Sequence, residues 1–130
     1  MKVIFLDIDG VLKEEDYRAE FKDECFRRLK EIVDATGAEI ILSSSWRIHY
    51  WKFVENGLKV SGRTDYTMRS GPSSRPDEIR RWIADKEDLE NFCIIDDDDF
   101  YRWNWLSQFL VVTRIRTKDE NGYDHWQRTL

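Results

Sequence analysis

Three short apolar runs, each broken abruptly by small polar or acidic residues, constrain the fold of this chain more than any other feature. Val3 to Leu6 runs into Asp7, Ala38 to Leu42 closes before Ser43, Ser44 and Ser45, and Phe92 to Ile95 runs into Asp96. A continuous apolar run without alternation marks a strand covered on both faces, and such strands belong to parallel sheets. Between the first two runs, Phe21, Cys25, Leu29, Ile32 and Val33 recur at spacings of three and four. They predict an amphipathic helix from about Tyr17 to Ala35, with Gly37 as its stop signal. A second helix is predicted from Trp46 to about Asn56, ended by Gly57. A third starts at Pro76 and shows the face Ile79, Trp82 and Ile83.

Strands that alternate with helices imply a three-layer α/β/α architecture around a mainly parallel central sheet. The length of 130 residues predicts one domain, 1–130, and 41% hydrophobic residues supply its core. Most of the six Trp are expected to be buried or half-buried. Leu58 to Ser74 reads as a long irregular excursion, because Gly62, Gly71 and Pro72 interrupt it. A last strand is expected at Phe109 to Thr113 and a short helix from about Asp124. Cys25 and Cys93 lie in helix and strand patterns without metal or redox spacing, so both read as buried thiols. His49 and His125 likewise lack metal-ligand spacing. No apolar run approaches the roughly 20 residues of a membrane span, and the N-terminus enters a strand directly, so a cytoplasmic protein without a membrane partner is expected.

Net charge is -5, which gives no general attraction to polyanions. The distribution is uneven: Trp46 to Arg81 carries eight Lys or Arg against four Asp or Glu, a local +4 that leaves -9 elsewhere. That segment suits an anionic substrate. In open parallel sheets, sites form beyond the carboxyl ends of the strands, so the polar residues that close the three runs should converge. Asp7-Ile8-Asp9-Gly10 puts two carboxylates two positions apart at a strand end, with Gly10 allowing the chain to turn. The same four residues also suit a plain turn or helix cap. Asp96 and Asp97 would bring further like charge to the same edge, which is costly unless a cation lies between them, and an all-oxygen donor set fits Mg²⁺. Asp98 and Asp99 read as a solvated turn that caps a short helix through Phe100 to Leu106. Ser43, Ser44 and Ser45 offer hydroxyls and backbone N–H groups at a helix start, as either cap or phosphate cradle. Arg75 can fork two phosphate oxygens.

Taken together, Asp7-Ile8-Asp9-Gly10-Val11, Ser43-Ser44, Arg75-Pro76 and Ile94-Ile95-Asp96-Asp97 resemble, in order, the motifs of the haloacid dehalogenase-like (HAD) superfamily. Ile41-Leu42-Ser43-Ser44-Ser45-Trp46-Arg47, Arg75 with Glu78-Ile79, and the Asp run are similar to the small phosphatase-like domains of Swiss Army Knife RNA repair proteins. The resemblance implies a HAD-like Rossmannoid with little or no cap and a Mg²⁺-dependent phosphatase activity. Asp7 would be the nucleophile that becomes an aspartyl-phosphate, and Asp9 the acid and base. Asp7, Asp97 and the Asp9 carbonyl would hold Mg²⁺, with Asp96 as alternative or additional ligand. Ser44, or Ser43 beside it, and Arg75 would hold the phosphoryl oxygens. The superfamily more often has Lys where Arg75 stands, which leaves Arg80 and Lys86 as substitutes.

The short connection from Asp9 to the first helix implies an open cleft that admits large phosphorylated substrates, with nucleic-acid 3′-phosphate ends among the candidates. Tyr50, Tyr66 or a Trp could stack on a base there. Two other readings use the same fold: a phospho-accepting receiver-like signalling domain, and a non-catalytic metal- or nucleic-acid-binding module. A receiver fits less well, because it should carry its acid pair on the first strand and its acceptor on a later one. Oligomeric state is not encoded in these motifs.

Overall fold

The structure is a computed structural model that describes residues 1–14, 20–43, 50–64, 74–98, 101–113, 115–118 and 124–127. The apolar runs form the strands β1 (Lys2–Leu6), β2 (Glu39–Leu42) and β4 (Asn91–Asp96), and two shorter strands, β3 (Val60–Arg63) and β5 (Leu110–Val112), flank them. All five are parallel, in the order β3-β2-β1-β4-β5. The chain builds outward from β1 to β3, then crosses back to place β4 on the other side of β1. The switch point of this doubly wound sheet therefore lies between β1 and β4.

Alternation along β1 feeds two cores. Ile4 and Leu6 join Ile40 and Leu42 of β2 beneath the helices α1 (Asp23–Thr36) and α2 (Tyr50–Glu55), which contribute Cys25, Phe26, Leu29 and Phe53. Phe26 and Phe53 meet edge to face at 5.4 Å. Val3 and Phe5 turn the other way, to Ile41, Ile94, Ile79 of α3 (Arg75–Ala84) and Trp103 and Leu106 of a 3₁₀ segment, Tyr101–Phe109. Phe5 packs edge-on against Trp82 of α3 at 5.3 Å. Helices thus cover both faces of an all-parallel sheet, as continuous apolar strands require.

Four expectations change. Helix α1 starts at Asp23 rather than near Tyr17; residues 20–22 are not helical, and the Lys22 N–H is bonded to the Leu12 carbonyl instead. Residues 15–19 lie outside the described residues. The expected excursion after Leu58 contains a strand, β3, whose Val-Ser-Gly-Arg sequence lacks an apolar run because it is an edge strand with a register shift against β2. Asp124–Gln127 forms β7, not a helix: it pairs antiparallel with β6 (Ile115–Lys118). Its sequence has no helical apolar stripe, β6 is rich in β-branched residues, and Asn121-Gly122 in the connecting sequence is a hairpin signal. Of the Trp side chains among the described residues, Trp103 is buried and Trp82 half-buried, while Trp51 and Trp105 are 44% and 50% exposed.

Residues 46–49, where the second helix was expected to start, also lie outside the described residues, whereas Gly37 and Gly57 end α1 and α2 in left-handed conformation as expected. No helix among the described residues is long and apolar enough to cross a membrane.

Candidate active site

The first strand delivers Asp7 to the switch point. Its N–H donates to the Ile95 carbonyl of β4 at 3.0 Å, so the strand pairing itself fixes where the carboxylate begins. Asp96 ends β4 and Asp97 follows it. Asp7, Asp96 and Asp97 are all buried, and one carboxylate oxygen from each lies within 4.8 Å of the others.

Gly10 is what lets Asp97 come so close. It has φ +78, and a Cβ placed there would stand 2.2 Å from Asp97 Oδ2. The side chain of Thr113, buried just after β5, donates to the Gly10 carbonyl at 2.7 Å, and its N–H bonds the Asp96 carbonyl at 3.2 Å. The β5 end thereby ties the β1 loop to the β4 end, a supporting role that a lone Thr in sequence does not announce.

Arg75 reaches this cluster from the first turn of α3. Its Nη1 lies 2.8 Å from Asp96 Oδ2 and 3.4 Å from Asp7 Oδ2, and its Nε donates to the Ser43 carbonyl at 3.0 Å. The other two cations considered for this role are used elsewhere. Arg80 pairs with Asp77 and donates to the Trp103 carbonyl, and the Lys86 ammonium lies over the Trp82 ring.

Ser43 follows β2, with its N–H bonded to the Leu6 carbonyl. Its hydroxyl oxygen is buried and has no hydrogen-bond partner among the described residues. A buried hydroxyl left unsatisfied beside a guanidinium is costly, and an incoming acceptor oxygen would satisfy it. Ser44 lies outside the described residues, so Ser43 is the one whose place is known.

The Asp7 carboxyl is pushed up to about 6: burial raises it most, the Arg75 guanidinium pulls against this, and Asp96 raises it further. For Arg75, burial works against the charge, and the Asp7 and Asp96 carboxylates outweigh it, so the guanidinium is held more firmly protonated than in water. Three carboxylates against one guanidinium leave the cluster rich in negative charge. This compact, all-oxygen, buried donor set fits a hard divalent cation such as Mg²⁺.

Asp9 stands apart from the three-acid group. Its Oδ1 is 2.8 Å from Lys13 Nζ, and its side chain is 27% exposed. The Asp9 carboxylate is thus paired with Lys13 and lies outside the three-acid group. Lys13, 2% exposed, is the residue that sequence reasoning missed: nothing in Val11-Leu12-Lys13 distinguishes a buried Lys from a solvated one. Asp98 leaves its N–H on Asp96 Oδ1 and its carbonyl on Trp103 Nε1, so it braces the β4 end. Cys25 is buried as expected, whereas Cys93 is only half-buried, though burial still raises its thiol.

A doubly wound parallel sheet whose switch point carries such a carboxylate cluster has the architecture of a HAD-like domain. Residues 3–122 match the family described as the HAD domain in Swiss Army Knife RNA repair proteins, and the chain belongs to that family. No curated protein and no solved structure matches the chain.

Proposed function

We propose that the chain is a Mg²⁺-dependent phosphomonoester hydrolase that works through an aspartyl-phosphate on Asp7. The observation that carries this reading is the meeting of Asp7, Asp96 and Asp97 with Arg75 in one buried cluster at the switch point. An Asp7 oxygen attacks phosphorus, the bond to the leaving oxygen breaks, and Asp9 supplies that oxygen with a proton. Asp9 then takes a proton from the water that attacks the aspartyl-phosphate, and orthophosphate departs. Arg75 and the Ser43 hydroxyl hold the non-attacking oxygens, with Ser44 as the alternative hydroxyl, where fixed donors matter most for phosphoryl transfer. Asp7, Asp97 and the Asp9 carbonyl, with Asp96 beside them, would hold Mg²⁺, which when bound screens the phosphoryl charge from the carboxylates.

For the substrate we favour a nucleic-acid 3′-phosphate end. Support comes from the family's description as domains of RNA repair proteins and from the +4 balance of Trp46 to Arg81. The test is kcat/KM across phosphorylated substrates, including 3′-phosphorylated RNA and DNA and a hexose phosphate, with and without EDTA. Activity should require Mg²⁺ and favour the oligonucleotides. Binding to a single strand should weaken with salt at a log-log slope of about -0.7 per phosphate contact. Full activity in EDTA would overturn the chemistry, and a preference for the sugar phosphate would overturn the substrate.

A further inference from the structure

Lys13 has no part in the steps above, yet it is one of the most deeply buried charged residues in the described structure. The chain doubles back to bring it there. The Ile8 carbonyl accepts from the N–H groups of Val11 and Leu12, Gly10 N–H donates to the Lys13 carbonyl at 2.8 Å, and Asp9 and Lys13 form an isolated bridge. Val11 and Leu12 are fully buried and anchor the turn, and the Leu12 carbonyl is tied to Lys22 at the entrance to α1. The Lys13 ammonium ends 2.8 Å from Asp9 Oδ1 and 3.2 Å from the Glu14 carbonyl. Lys is rarely buried, because its head is strongly hydrated and a buried ammonium needs an ionic partner. A Lys serving only to cover the turn would leave its head in water.

We propose that Lys13 is a positioning residue for Asp9. It holds one carboxylate oxygen so that the other faces the leaving-group oxygen and, later, the attacking water. This inference rests on the acid–base role of Asp9 proposed above. Asp9 Oδ1 is buried and meets the Lys13 ammonium at 2.8 Å as an ion pair without aligned hydrogen-bond geometry, whereas the side chain as a whole is 27% exposed, so its exposure lies on the remainder of the side chain, which includes Oδ2. Fixing one oxygen by an ion pair removes rotation that would carry the other out of line, and proton transfer in the transition state depends on that alignment. Lys13 acts through Asp9 and does not itself touch the reacting atoms.

The test uses leaving-group chemistry, which a purely structural role does not sense. kcat/KM reports steps up to release of the leaving group. It is measured with Mg²⁺ on p-nitrophenyl phosphate, whose leaving group needs no proton, and on a 3′-phosphorylated oligonucleotide, whose leaving alkoxide does. Lys13→Met should lower kcat/KM on the oligonucleotide by roughly tenfold or more and on p-nitrophenyl phosphate by less than about threefold, with KM little changed. In the double variant with Asp9→Asn, the Lys13 change should cost nothing further. If Lys13→Met does not fold, Lys13→Gln, which keeps a shorter polar donor, supplies the same comparison. Equal losses on both substrates, or a further loss in the double variant, would overturn the positioning role while leaving the acid–base role of Asp9 intact. If Asp9→Asn itself loses equally on both substrates, the assignment of Asp9 as the acid fails, and the role of Lys13 falls with it.

Discussion

Asp7 is held in an environment that opposes its own charge. Its carboxyl has a pKa of about 6 when folded and an ordinary value of 3.8 when unfolded, with burial the leading cause. The folded state therefore binds the proton more tightly, and stability is lost as pH rises through that interval; above it, the charge costs on the order of 3 kcal/mol. Without metal, Asp7→Asn should accordingly be more stable than the parent near neutral pH, and the two should converge below the ordinary Asp pKa. Urea titrations of both proteins across this range, in EDTA, check the sign. A variant less stable than the parent at neutral pH, with the same gap in acid, would contradict it. Gly10→Ala makes a second residue-level test, since its Cβ meets the Asp97 carboxylate and its φ is +78. A left-handed Ala costs roughly 1–2 kcal/mol, and the added clash should raise the Mg²⁺ concentration needed for half-maximal activity.

Helix α3 matters because it carries Arg75 into the cluster, and its start is organised by Ser74. The Ser74 hydroxyl donates to Asp77 Oδ2 at 2.7 Å, its oxygen accepts the Asp77 N–H at 3.4 Å, and Pro76 sits in the first turn. Ser74→Ala should cost about 0.5–2 kcal/mol of stability, read from denaturant midpoints, with a smaller loss of turnover than Arg75→Ala. A larger loss of turnover than Arg75→Ala would show that the cap, not the guanidinium, limits the site. Elements were legible in the sequence where burial on two faces wrote continuous apolar runs, as in β1, β2 and β4. Edge position hid β3, because Val60-Ser61-Gly62-Arg63 needs only one covered side. The C-terminal hairpin was obscured because pairing between β6 and β7, not a local stripe, determines it. At the site, strand ends announced Asp7, Asp96 and Asp97, whereas the Asp9–Lys13 pairing depends on a turn geometry that a DxDG motif alone does not specify.

Across the whole molecule, the described residues gather three buried carboxylates and one guanidinium at the switch point, so a cation should couple to global stability. Mg²⁺ at a hundredfold excess over its Kd should stabilise the fold by about 2.7 kcal/mol, and Asp97→Ala should reduce that gain. A thermal shift unchanged by Mg²⁺ in the parent would argue against a metal centre. The nucleophilic role proposed for Asp7 is tested by acid-quenching the protein with Mg²⁺ while it is incubated with a 3′-phosphorylated oligonucleotide, then reducing with borohydride. An acyl-phosphate on Asp7 is converted to homoserine, which peptide mass spectrometry locates. The expected result is homoserine at position 7 in the parent and none in Asp7→Asn. Sustained turnover by Asp7→Asn, or reduction trapped at another carboxylate, would contradict the account.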